Sequence, residues 1–552
     1  MAFYIQNLVN DEFIEGEEVM KDKAIKAIKD GKTALGIELG SSRIKAVLID
    51  NASQILAQGN FDWENSLVDG IWTYSLDEVW LGIESAYEAL ANNVLEKYQL
   101  PLENIGAIGV SAMMHGYLVF DQDDQLLVPF RTWRNTMTED ATKVLIEKFN
   151  YNIPQRWSIA HLYHAILEGE EHVKDIQFMT TLAGYVHWQL TGQKVLGIGD
   201  ASGVFPIDDE TRDFDQKMLE IFDDLIKEKN FTWHVSEILP KILKAGEDAG
   251  TLTEKGAKLL DPSGKLKAGI KMAPPEGHAG TGMVATNSVL PRTGNVSAGT
   301  SIFGMVVLEH ALSKVHIELD MVTTPSGSPV AMAHCNNCTS DLDAWVRMYQ
   351  ELLQRLGVEV PKYKLYDELY FAALEGDKDC GGVMAHNYVS GEHVTGFSEG
   401  RPLIVRMPNA NFNLANYMRA MLNSTMATLR IGMDILTVEE NVEIDQLLGH
   451  GGLFKTEKVG QTLMANALKV PLTVMSSAGE GGAWGMAILA LYLDFKDQYT
   501  LEDFLINQVF AAETSTTIEP NAEDMEGFDQ FLTRYKDSLA VQRAAVEALP
   551  LE

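Results

Sequence analysis

The stretch PEGHAGTGMVATNSVLPRTGNVSAGTS, residues 275–301, holds two glycine-rich turns and one histidine. Its second turn, Gly299–Thr300–Ser301, has the make-up of a phosphate cradle. Glycine lets the backbone approach an oxyanion without a Cβ clash, and the amide N–H groups supply the grip. Gly40–Ser41–Ser42–Arg43 is a second turn of similar composition, with a guanidinium added. His278 lies between them in the chain, just upstream of the second turn. A neutral imidazole can accept a proton, and histidine is the commonest general base. Glu276 is two residues back and shares a face with His278 if the segment is extended.

Such turns need rigid elements to hold them. ALGIELGSSRIKAVLID (34–50) predicts a strand, a small-residue turn and a second strand, because IKAVLI is too short and too β-branched for a helix. A P-loop or dinucleotide fingerprint would place a helix after the glycines. TGNVSAGTSIFGMVVL (293–308) repeats the strand–turn–strand grammar. Two copies point to two lobes of related design, each presenting a hairpin turn to a shared cleft. Residues 75–98 predict a helix capped by Ser75, and IGAIGVSAMMHGYLVFD (105–121) a buried strand, a loop at MMHG and another strand. LANYMRAMLNSTMATLRIGMDIL (414–436) predicts a long helix, and 445–475 a strand, glycine loop, helix and strand. SSAGEGGAWGMAILALYL (476–493) predicts a glycine-rich helix start and a packed helix, EEVMKDKAIKAIKDGK a short amphipathic helix, and the tail from 521 charged helices.

Composition bounds the partners. The 552 residues exceed one ordinary core, and 46% apolar content is enough for two. The formal net charge of −34 argues against nucleic acid and anionic membrane as partners. The start of the chain lacks the pattern of a signal peptide, and no run of about 20 apolar residues predicts a membrane span, so the cytoplasm is the expected compartment. Cys335, Cys338 and Cys380 suggest a reducing environment. HCNNC (334–338) has metal-like spacing, but without a second C-x-x-C pair it reads as packed thiols.

Seven ordered motifs, GIELGSSRIKAVLID, GVSAMMHGYLVFD, FRTWRNT, GIGDASGVFPID, NVSAGTSIFG, GHGGLFKTEKVGQTLMANAL and GEGGAWGMAILA, resemble the FGGY carbohydrate kinases, especially the xylulokinase and ribulokinase members. The resemblance runs from about residue 34 to about 495. It implies an α/β fold of two ribonuclease-H-like, actin/hexokinase-type lobes around a central ATP and sugar cleft. The expected division is an N-terminal extension (1–33), an N-terminal lobe (34–286) with the sugar site and first phosphate hairpin, and a C-terminal lobe (287–552) with the second hairpin and the adenosine site.

The implied activity is ATP-dependent phosphorylation of a ketopentose, D-xylulose or L-ribulose, on its primary 5-hydroxyl. ATP and Mg2+ are the implied cofactors, and sugar and ATP the partners, with a homodimer left open. Gly40, Ser41, Ser42, Arg43, Gly299, Thr300 and Ser301 would meet the phosphates. Gly451, Gly452 and Lys455 would lie near the adenosine, with Trp484 either stacked on adenine or packed in the core. Glu38 stands where the family has an aspartate and would hold Mg2+ directly or through water. Met114, His115 and Gly116, with Arg134 and Asn135, would form the sugar pocket. The resemblance places the general base at His278, where the family has aspartate; Glu276 and Asp200, the latter expected on a hairpin, are the substitutes. That departure leaves open a weakly active or non-catalytic sugar and nucleotide sensor on the same fold; a third reading, an actin-like assembling ATPase, gives no reason for a sugar loop.

Overall fold

Thr33–Leu39 and Arg43–Asp50 pair antiparallel in unbroken register from Thr33 opposite Asp50 to Leu39 opposite Ile44. All seven residues of the first strand except Glu38 are buried. In the computed structural model, which describes residues 18–476 and 481–550, these strands begin a sheet that continues antiparallel through Ile55–Asp62. On its other side Thr33–Leu39 runs parallel to Ala107–Ala112, which in turn pairs parallel with Lys271–Met272 and Glu276–Gly277.

The second sheet repeats this order. Thr293–Ala298 and Ile302–Val307 form its hairpin, Pro329–Cys335 extends the antiparallel side, and Gln446–His450 lies parallel to Thr293–Ala298. Leu472–Met475 follows, parallel again, and the outer strands are Leu319–Thr323 and Ser515–Ile518. Each sheet therefore has a run of three antiparallel strands whose first strand in the chain is flanked on its other side by parallel strands from later in the chain. This is the duplicated strand–turn–strand design that the two turn segments predict.

The described residues fall into two units. One comprises 18–287, 323–328 and 481–512; the other comprises 288–322, 329–476 and 513–550. The first break falls between Asn287 and Ser288. Residues 481–512 depart from the expected division, since they belong with the first unit. The reason is packing. Gly481–Tyr492 is buried along nearly its whole length, as an all-round apolar helix must be. A Cβ on Gly36 would come within 2.0 Å of the Ala483 carbonyl, so only glycine lets this helix lie against the first strand. Gly59 does the same for the helix Leu76–Tyr98, at 2.0 Å from the Ala86 carbonyl.

Local chemistry sets the ends of the elements. Ser75 and Glu78 form a reciprocal capping box at the start of Leu76–Tyr98. Residues 18–29 form the expected amphipathic helix, burying Ala24 and Ile28. The rest of the N-terminal extension, residues 1–17, and the start of the SSAGEG segment, 477–480, lie outside the described residues. Leu414–Asp434 is the expected long helix, and Ala522–Asp537 with Leu539–Ala548 the helical tail. Cys335, Cys338 and Cys380 are buried in the second unit's core, where burial pushes their thiols up. Among the described residues, no helix is long and apolar enough to cross a membrane.

Candidate functional site

Each unit carries one turn-bearing hairpin. In the first unit, the Gly40 N–H closes the turn on the Arg43 carbonyl at 3.0 Å. Gly40 O accepts from Trp63 Nε1 at 2.7 Å, Ser41 O from the Tyr74 hydroxyl at 2.6 Å, and Ser42 O from Trp63 N at 3.2 Å. The side chains of Ser41 and Ser42 make no hydrogen bond among the described residues. Arg43 Nε pairs with Asp62 Oδ1 at 2.5 Å, both side chains exposed.

Glu38 is the penultimate residue of the first strand and is partly buried. Its Oε2 accepts the Ala483 N–H, near the start of Gly481–Tyr492, at 3.1 Å. Burial raises its pKa, while Lys45, its cross-strand partner, and that N–H oppose the rise. Oε1 has no hydrogen-bond donor from the described protein groups. A single hard carboxylate oxygen fits Mg2+, which binds through one or two carboxylates plus substrate phosphates.

The MMHG loop follows the buried strand Ala107–Ala112 as expected. His115 and Gly116 both take positive φ, at 69° and 88°, which turns the chain back sharply. His115 is buried, and its Nδ1 lies 3.2 Å from Gly203 O. A carbonyl can only accept, so Nδ1 carries the proton. Burial, then the nearby Arg156 charge, holds the His115 pKa well below its ordinary value; Gly203 O opposes this, and His278 adds to the lowering. The ring is therefore neutral, with its lone pair on Nε2. Met114 is buried beside Gly277.

Arg134 lies exposed with its guanidinium 3.8 Å from the Trp72 ring centre and Nη1 2.9 Å from Asn65 Oδ1. Asn135 corrects the expectation of a sugar contact. Its Oδ1 accepts from Trp72 N at 2.9 Å, and its Nδ2 donates to the carbonyls of Trp72 and Thr132. The amide is spent on holding the short hairpin Ser66–Thr73.

The three candidate bases separate. Asp200 lies on the short helical turn Ile198–Ala201, not on a hairpin, and is fully buried. Thr181 donates to its Oδ2 at 2.6 Å, and Oδ1 has no hydrogen-bond partner among the described residues. Glu276 does not share a face with His278, because the chain leaves its strand at Gly277 and starts the helix His278–Ala285. The Glu276 carboxyl is buried and accepts the N–H groups of Gly199, at 3.3 Å, and Asp200, at 3.0 Å. It clamps the turn that carries Asp200, a positioning task and not the proton transfer expected of it.

Burial raises both carboxyls, Asp200 to about 7 and Glu276 to about 8. At Glu276 the neighbouring Asp200 carboxylate adds to the effect of burial, and the backbone N–H groups it accepts oppose it. His278 alone of the three presents an exposed side chain. The ring is open at its surface, but surrounding protein disfavours its charged form and lowers its pKa. Its place at the first turn of a helix acts in the same direction. His278 is thus a neutral imidazole near the neutral His115.

In the second unit, the turn Gly299–Thr300–Ser301 is closed by Gly299 N to Ser301 O at 2.9 Å. Thr339 donates to Gly299 O from its hydroxyl at 2.9 Å and from its N–H at 3.2 Å, and Cys338 N donates to Thr300 O at 3.0 Å. Gly451 abuts this turn: its φ is 104°, and a Cβ there would sit 2.4 Å from Ala298 O. Gly452 is open and exposed, and Lys455 is exposed without an ion-pair partner among the described residues. Trp484 belongs to the first unit's core, where its Nε1 donates to Ser53 O at 3.0 Å. Sequence reasoning missed Trp63, Tyr74, Thr181 and Thr339. Each acts on a partner remote in the chain, and no local pattern marks it.

Duplicated hairpin sheets of this order, each with a glycine-hydroxyl turn, define a two-unit α/β architecture. Comparison with known proteins assigns the family. The N-terminal domain of the FGGY family of carbohydrate kinases matches residues 33–262, and the C-terminal domain of that family matches 294–493. The chain belongs to this family. It is 20% identical over 519 residues to a xylulose kinase of Haemophilus influenzae, covering 92% of this chain and 99% of that one. Among solved structures, a ligand-bound xylulose kinase from Lactobacillus acidophilus matches with TM-score 0.75 at 16% identity, over 94% of this chain and 99% of that one. A gluconate kinase from the same organism also reaches 0.75 at 16%, over 92% and 98%. At these identities the structural likeness establishes the fold.

Proposed function

We propose that this chain transfers the γ-phosphoryl group of ATP to the primary 5-hydroxyl of a ketopentose, with D-xylulose the first candidate and L-ribulose the second. The observation that carries this is the pair of N–H-bearing glycine-hydroxyl turns at equivalent strand ends of two sheets of the same order. The xylulose kinases among the relatives favour xylulose. Sugars differing at one hydroxyl are told apart by a few polar groups, and here His115 Nε2 would accept from a donated sugar hydroxyl.

In the transfer, the sugar oxygen bonds to the γ-phosphorus, the bond from that phosphorus to the β-bridging oxygen breaks, and ADP leaves. His278 takes the hydroxyl proton on its free ring nitrogen. Its low basicity is tolerable because the transition state is loose and positioning carries most of the rate. Glu38 Oε1 is the group that would hold Mg2+, which when bound neutralises phosphate charge.

A second reading is a weakly active or non-catalytic sugar and nucleotide binder, favoured by the lowered His278 pKa. ATP-dependent phosphorylation of a ketopentose panel separates the two. The expected result is turnover strongest on D-xylulose, a loss of roughly 10²–10⁴ in kcat for His278→Ala, and at least wild-type activity for His278→Asp. Sugar and ATP binding by calorimetry with no turnover by wild type or His278→Asp would establish the second reading instead.

A further inference from the structure

The two phosphate turns share a feature that their sequences do not show. In a trans peptide the C=O of one residue and the N–H of the next point in opposite directions. No cis peptide occurs among the described residues. Whatever holds a turn carbonyl therefore also aims the following N–H. In the first turn, Gly40 O and Ser41 O are taken by Trp63 Nε1 and the Tyr74 hydroxyl. The amides aimed away from these donors are Ser41 N–H and Ser42 N–H, and neither has a protein acceptor among the described residues. In the second turn, Gly299 O is taken by Thr339 and Thr300 O by Cys338 N. Thr300 N–H and Ser301 N–H are left open in the same way.

The geometry points to Tyr74, Trp63 and Thr339 as positioning residues that draw the turn carbonyls inward, so that each turn offers the nucleotide phosphates two N–H groups and no carbonyl oxygen. This rests on the proposal that the turns bind ATP. Its physical basis is electrostatic. A carbonyl oxygen facing a phosphate oxygen repels it, whereas paired amides form an anion-binding nest that needs no reorganisation when the ligand arrives.

The tethers are themselves rigidly held. Trp63 and Tyr74 are buried and stack with ring centres 4.1 Å apart. On the other turn, the segment leading to Thr339 hangs on Glu392, buried in the second unit. Its Oε2 accepts from Asn336 N at 2.9 Å, Asn337 N at 3.3 Å and Asn337 Nδ2 at 3.1 Å. The HCNNC motif thereby has a task unrelated to metal: its Cys338 N–H is a donor to the second turn, and Thr339 follows it directly. Two aromatic residues do in one unit what a threonine and a main-chain N–H do in the other.

Tyr74→Phe, Thr339→Val and Thr339→Ser test this in the full-length protein by calorimetric binding of ATP, adenosine and D-xylulose. Tyr74→Phe removes the hydroxyl that holds Ser41 O, and Thr339→Val leaves Gly299 O held by the main-chain N–H alone, so each should weaken ATP about fivefold, on the scale of one neutral hydrogen bond. Adenosine and sugar affinities should stay at wild-type values, and Thr339→Ser should bind ATP as wild type does. Unchanged ATP affinity in both variants overturns the inference. So does an equal loss for all three ligands, which marks a general structural defect. If wild type binds sugar but no ATP, the proposed function fails first and this inference with it.

Discussion

At the scale of single residues, burial sorts the three candidate bases. His278 is exposed and neutral, while Asp200 and Glu276 lie behind it as buried acids with raised pKa values. The sequence could not show this. The strand before His278 has only two residues, and Gly277 caps the helix without a side chain, so EGH reads as extended when it is a strand-to-helix junction. The raised carboxyls have a consequence for stability. Glu276 keeps its proton to about pH 8 in the folded chain, against an ordinary value of 4.5. Between these limits the folded state binds more protons than the unfolded state, so stability falls as pH rises from about 4.5 to about 8. Glu276→Gln removes that titration. Its melting temperature relative to wild type should climb steadily from pH 5 to pH 9. A difference independent of pH would show that Glu276 is ionised throughout.

Secondary-structure elements were the most legible level. Strand–turn–strand grammar gave both hairpins, and Ser75 caps its helix as expected, with Glu78 completing a capping box that was not foreseen. The home of Gly481–Tyr492 was not legible, because an all-apolar helix declares that it is buried but not where. Its seat depends on Gly36, in a strand more than 400 residues earlier. Gly36→Ala would set a Cβ against the backbone of Ala483 and Ala487, which cannot swing aside as a side chain can. Overpacking of this kind costs about 1–3 kcal/mol or more. Chemical denaturation should show a lower midpoint for this variant; wild-type stability would mean that the helix does not press on the strand.

For the whole molecule, duplication was readable from two turns and confirmed by two sheets of the same strand order. What stayed hidden is how each turn is held, since Trp63 and Tyr74 serve one and Thr339 the other. Different residues perform one task, so neither repeat nor spacing reveals it. A strongly acidic chain, at −34, can still bind a polyanion when backbone amides are aimed at it, because their partial charges act at contact range. Hydrogen–deuterium exchange of the intact protein with and without ATP and Mg2+ tests that claim most directly. Slower exchange on ATP binding is predicted in peptides covering both 39–44 and 298–303, with adenosine giving neither effect. Bound ATP with unchanged exchange at both turns would contradict the account.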